Sequence, residues 1–222
     1  MEVFIVVTVL WIFSVCIHEF GHAWAAYCGG DYTVKDKGYL TLNPLHYTHP
    51  VYSIVMPVVF LLLGGIGLPG GAVYIERQLL RSREWDTWVS LAGIAMNIVM
   101  VVIISVLFKI GVLKNDPQNM ASVSLSFLLQ LEVSAILLNL IPIPPLDGFQ
   151  AIAPWLPGDL REKLFQWGQV GQWILFLLLF MGPLGYYFWN IVSIISNFLG
   201  VDSSMGYRGY ETYMGFIHSL FR

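Results

Sequence analysis

The stretch SVCIHEFGHAWAAY, residues 14–27, carries His18-Glu19-Phe20-Gly21-His22 and continues an apolar run over residues 3–13 without a break. Two histidines four residues apart lie one above the other on a helix face, so both imidazoles reach one metal ion. Glu19 sits beside them, placed to take a proton from water at the metal's open position. On a helix, this pattern points to zinc-dependent hydrolysis. The setting is unusual, because ionisable groups in a membrane-length segment are costly unless they line a polar cavity or bind something. That cost disfavours the bland alternative, a chance match with both histidines hydrogen-bonded inside a helix bundle.

The chain has 222 residues, 57% of them hydrophobic and 11% charged. Soluble domains run at about 25% charged, so the composition is that of an integral membrane protein. A net charge of −3 leaves no basic surface for nucleic acid. Met1-Glu2 offers no positive stretch of the kind that opens a signal peptide. Cys16 and Cys28 fall in one helix, roughly 18 Å apart, beyond disulfide reach.

Hydrophobic runs cover residues 3–27, 51–68, 88–113, 121–141 and 170–199. A span needs roughly 20 apolar residues. The second run is barely that long, holds Pro57 and ends in glycines. The last contains Gly182-Pro183, where a break is expected. If residues 51–68 dip in and return, Lys35, Lys37, Arg77, Arg81, Arg83, Arg161 and Lys163 collect on one side. The positive-inside rule then turns the His22 end of the first helix towards the cytoplasm. The metal would lie about 10–15 Å below that boundary.

Two short stretches alternate in a strand-like way: Tyr39, Leu40, Thr41 and Leu42, then Ala72, Val73, Tyr74 and Ile75. Periodicity alone leaves plain connecting loops equally open. The expected fold is an all-α polytopic membrane protein of about 4–5 transmembrane helices, with a re-entrant segment and short β-strand pieces near the cytoplasmic face. Residues 1–153 form the membrane core. Residues 154–169 form an interfacial amphipathic helix, with Leu160, Leu164 and Trp167 opposite Arg161, Glu162 and Lys163. Residues 170–199 make a C-terminal membrane segment, and 200–222 a tail.

Catalytic zinc usually keeps three protein ligands and a fourth position for water. Asp147 follows Pro142, Pro144 and Pro145, which stop a helix and hold extended backbone at membrane depth. No cation lies near it in sequence, and a zinc ion would answer its charge. His46 and His49 are rivals for the third position. Glu132 lies on the same helix face as Asn139, as a proton relay, a substrate contact or a bundle carboxylate.

These residues resemble the site-2 protease family of intramembrane zinc metalloproteases. That family pairs H-E-x-x-H with a later N-x-x-P-x-x-P-x-D-G segment. His18, Glu19 and His22 match the first motif; Asn139, Pro142, Pro145, Asp147 and Gly148 match the second. Leu40-Thr41-Leu42-Asn43-Pro44-Leu45 and Ala92-Gly93-Ile94-Ala95-Met96-Asn97 resemble two further family stretches, although Ile94 replaces the usual proline and the H-I-D-P after Asn43-Pro44 is missing.

The resemblance implies one Zn²⁺ per chain on His18, His22 and Asp147, with Glu19 as the base. Asn139, and less readily Asn97, would contact the oxyanion or substrate. The strand-like pieces at 39–42 and 72–75 would clamp an unwound substrate. The implied reaction is cleavage of a membrane-spanning protein within or near its transmembrane segment, releasing a soluble fragment. A regulatory membrane partner would provide gating. The rival from another class is a membrane zinc carrier or a catalytically inactive zinc-binding scaffold, which has no need of Glu19 beside the open position.

Overall fold

The structure is a computed structural model and describes residues 1–43, 73–182 and 184–220. The chain begins with α1 (Glu2–Gly29), which ends where Gly30 turns left-handed, and a short α2 (Thr33–Asp36) follows. An extended piece, residues 73–76, and a 3₁₀ turn (Arg77–Leu79) lead to α3 (Arg83–Lys109). Ser82 starts that helix by accepting from the Trp85 backbone. Next come α4 (Met120–Asn139), capped by Asn119, and the short α5 (Asp147–Ile152). Helices α6 (Gly158–Met181), α7 (Leu184–Phe198) and α8 (Ser203–Leu220) complete the chain.

Helix α4 is the axis of the bundle. Most of its side chains are buried, and α1, α3, α7 and α8 all pack on it. Helices α1 and α3 also pack along each other, which brings the H-E-x-x-H face of α1 against α3. The short α5 lies on α3, where Thr87 Oγ1 donates to the Ala151 carbonyl at 2.7 Å. That contact anchors the C-terminal end of α5, the helix that Asp147 opens.

The architecture corrects the expected one in two respects. Among the described residues three helices are long and apolar enough to cross a membrane, α1, α3 and α4, rather than four or five. The run at 170–199 is divided at Gly182 between the C-terminal part of α6 and α7. The 15 residues of α7 reach only about 22 Å, short of a hydrocarbon core of roughly 30 Å. The amphipathic stretch and the apolar stretch beyond residue 170 form one continuous helix, α6. Residues 51–68, His46, His49 and Ala72 lie outside the described residues.

The second correction is that no strand occurs among the described residues. Tyr39 N donates to Val34 O, and Thr41 Oγ1 to Gly38 O, both local turn bonds. In the other piece, Val73 N and Glu76 N donate to the carboxylates of Glu19 and Asp31. Carboxylates thus hold two donors that a sheet would need for its ladder. The two pieces are nonetheless neighbours. Tyr39, Leu40, Val73 and Ile75 join one apolar cluster with Ala23 and Ala26 of α1.

Candidate metal centre

His18 and His22 are buried on one face of α1, with their Nε2 atoms 3.0 Å apart. Asp147 opens α5, and its Oδ2 lies 3.2 Å from His18 Nε2 and 3.4 Å from His22 Nε2. The proline-rich turn before α5 carries the aspartate back under α1. Gly148 is required there, because a Cβ would overlap the Leu140 carbonyl. Gly93 has a matching role on α3. A Cβ at that position would occupy the space of both imidazoles.

Acceptors fix the tautomers. His18 Nδ1 lies 2.5 Å from Asn97 Oδ1, and His22 Nδ1 lies 2.7 Å from the Val89 carbonyl. Neither oxygen can donate, so both Nδ1 atoms carry the proton and both Nε2 lone pairs face Asp147. Two lone pairs and a carboxylate oxygen at this spacing repel unless a cation lies among them. Asp147 Oδ2 is also buried with no hydrogen-bond donor.

A tetrahedral site with bonds of about 2.0–2.1 Å separates its ligand atoms by roughly 3.3 Å. The three atoms match that spacing, and the residues fit a zinc ion. As a zinc ligand Asp147 binds as the anion, and the two imidazoles bind neutral through Nε2.

Glu19 is buried beside the histidines, and its Oε2 accepts from Val73 N at 3.1 Å. The three ligands and Glu19 face a cleft of about 360 Å³, walled by Val73, Ile75, Arg77, Asn139 and Gln150 among others. The fully buried Asp31 ties this wall to the end of α1, accepting from Thr33 N, Thr33 Oγ1 and Glu76 N. Arg77 pairs with Asp86 at the mouth.

Of the residues singled out in the sequence, His18, Glu19, His22, Asp147 and Asn139 meet at the cleft, with Val73 and Ile75 on its wall. Asn97 lies behind His18, and its Nδ2 donates to Glu132 Oε2 at 2.9 Å. Tyr74 faces outward under the Lys37 ammonium, while Tyr39, Leu40, Thr41 and Leu42 do not line the cleft. Arg77 and Gln150 had not been singled out as site residues. Arg77, the first residue of the 3₁₀ turn, follows Val73 and Ile75 at the same two-residue spacing. Gln150 lies three residues after Asp147, on the same side of α5.

Comparison with known proteins agrees with this geometry. A Mycolicibacterium smegmatis protein bearing the name of a zinc metalloprotease, Rip2, is 43% identical over 204 residues, 90% of this chain and 76% of its own length. The Mycobacterium tuberculosis protein of the same name is 36% identical over 93% of this chain and 79% of its own. A Bacillus subtilis protein named as the zinc metalloprotease YwhC is 33% identical over 79% of this chain and 80% of its own. This chain belongs to the site-2 protease family.

It is therefore a membrane zinc metalloprotease, and its cofactor is zinc. The carrier and inactive-scaffold readings drop away. No family model and no solved structure matches the chain.

Proposed function

We propose that this protease cuts a membrane-anchored protein within or near its transmembrane segment, close to the cytoplasmic face. The observation that carries the reading is where the centre sits. His18, Glu19 and His22 project from the membrane-length α1, and the groups orienting both imidazoles come from α3, a second such helix. A peptide bond reaching this cleft belongs to a chain already in the bilayer or at its surface. Lys35, Lys37, Arg77, Arg81 and Arg83 gather at the same end of the bundle, which supports a cytoplasmic orientation.

His18, His22 and Asp147 would hold the zinc, which when bound supplies Lewis acidity towards water and the scissile carbonyl. Glu19 takes the proton from the attacking water and passes it to the leaving amine. The Val73 N–H holds the Glu19 carboxylate in the orientation it needs for this. Asn139 donates to the oxygen on which negative charge develops. A transmembrane helix hides its peptide bonds, so the substrate unwinds before it enters. Val73 and Ile75 then offer it an aliphatic wall, with Arg77 and Gln150 at the polar end.

The test is reconstitution of the purified chain in liposomes with a single-span substrate. Glu19→Gln lowers cleavage by about 10²–10⁴-fold while zinc stays bound. Undiminished cutting removes Glu19 from the mechanism. Cutting of soluble peptides alone, never of the anchored substrate, overturns the intramembrane assignment.

A further inference from the structure

The two metal-ligating imidazoles are oriented by different devices. His22 leans on the backbone carbonyl of Val89, which no substitution can remove. His18 leans on a side chain, Asn97 of α3, which in turn leans on Glu132 of α4. Both partners are buried, Glu132 completely. The other Glu132 oxygen, Oε1, is buried without a hydrogen-bond partner, so the one bond its carboxylate makes among the described residues is to Asn97.

A carboxylate this deep in a bundle is expensive unless it serves a bound group. Asn97 is suited to linking it to the metal site. Its oxygen can only accept, which forces the proton onto His18 Nδ1, and its amide can only donate, which fits the Glu132 oxygen.

We infer that Asn97 and Glu132 are positioning residues that lock the His18 ring in its metal-binding tautomer, so that zinc affinity is set from α4, two side chains away from the metal. The inference rests on the zinc site of the proposed function. It also accounts for Glu132, which the hydrolytic steps leave without a task. The two members of the chain differ in kind. Asn97 must both accept and donate, whereas at position 132 any side-chain oxygen in the same place suffices. Glutamine therefore preserves the arrangement and leucine breaks it.

The experiment is a chelator competition on the purified full-length protein, with cleavage of a single-span substrate measured in parallel. Asn97→Leu weakens zinc binding by about 10–100-fold, the usual cost of losing a partner behind a metal ligand. Glu132→Leu weakens it less, about threefold to tenfold, because it leaves the His18–Asn97 contact in place. Glu132→Gln stays within about twofold of the wild type, since it retains the hydrogen bond.

Gln130→Leu is the control, a buried polar residue of α4 that donates to Ser203 O and touches no ligand. It leaves zinc affinity unchanged. If Asn97→Leu does not accumulate, the contrast between Glu132→Leu and Glu132→Gln decides the matter. Wild-type affinity in both leucine variants, or an equal loss in Gln130→Leu, overturns the inference. A wild-type protein that binds zinc but leaves the anchored substrate uncut overturns the proposed function instead, and the affinity comparison still stands.

Discussion

At its N-terminal end α1 buries Val3, Val7 and Trp11 against Phe127 of α4 and Tyr213 of α8. The Phe4 ring there lies 5.1 Å from Tyr213 and 5.0 Å from Phe216. Towards its C-terminal end the same helix buries Ser14, His18, Glu19 and His22, facing Asn97, Glu132 and Asp147. In lipid, helices associate through close packing and interhelical hydrogen bonds, not through transfer from water. The aromatic end supplies that packing. The polar end removes several ionisable groups from water, which favours the fold weakly or opposes it. One helix therefore carries stability at one end and chemistry at the other, and the two should respond separately to substitution.

The largest effect is expected at the polar end. Asp147→Ala removes a ligand and should abolish both zinc binding and cleavage, read by metal analysis and the liposome assay. Its melting temperature without zinc should stay within a few degrees of the metal-free wild type, because an unpartnered buried oxygen is lost along with the ligand. If the metal-free variant unfolds, Asp147 also holds the bundle together and the separation fails.

The polar end was the more legible of the two in the sequence. His18, Glu19 and His22 announce themselves because their spacing is local and helical. Asp147 does so because three prolines around it exclude most structural roles. The Asn97–His18 contact gave no such signal. It joins residues 79 apart, and an amide inside an apolar helix has no diagnostic spacing. The strand-like pattern at residues 72–75 pointed to the right stretch of chain but grouped Tyr74, which faces outward, with Val73 and Ile75 on the cleft wall. It could not reveal that two carboxylates, not a neighbouring strand, take the backbone donors.

Helix α8 was hidden for another reason. Gly206, Gly209 and Gly215 depress its helical signal, although Met205, Tyr213 and Ile217 fall on one face. Gly206 and Gly209 let it approach α4, Gly206 against Gln130 and Gly209 against Phe127 and the Val123 carbonyl.

At the aromatic end the order of effects reverses, with stability changing and zinc not. Phe127→Ala leaves a cavity between rings whose centroids lie 5.7 Å away at Tyr213 and 6.0 Å away at Tyr210. The expected loss is about 3 kcal/mol of unfolding free energy, measured by denaturation in detergent. Zinc affinity should hold within a factor of about two, because the cavity is remote from the ligands.

The smallest effect asks whether polar contacts at that end matter. Thr8 Oγ1 and Tyr213 OH share a hydrogen bond of 3.0 Å between α1 and α8. Thr8→Val keeps the shape of the side chain and removes its oxygen, leaving a buried phenol without its partner. Interhelical hydrogen bonds in membranes are typically weak, so the expected cost is about 1 kcal/mol. It should appear in the same denaturation experiment and leave cleavage unaltered. A loss as large as that of Phe127→Ala would make this end depend on polar contacts as well, and the contrast along α1 would then be one of function alone.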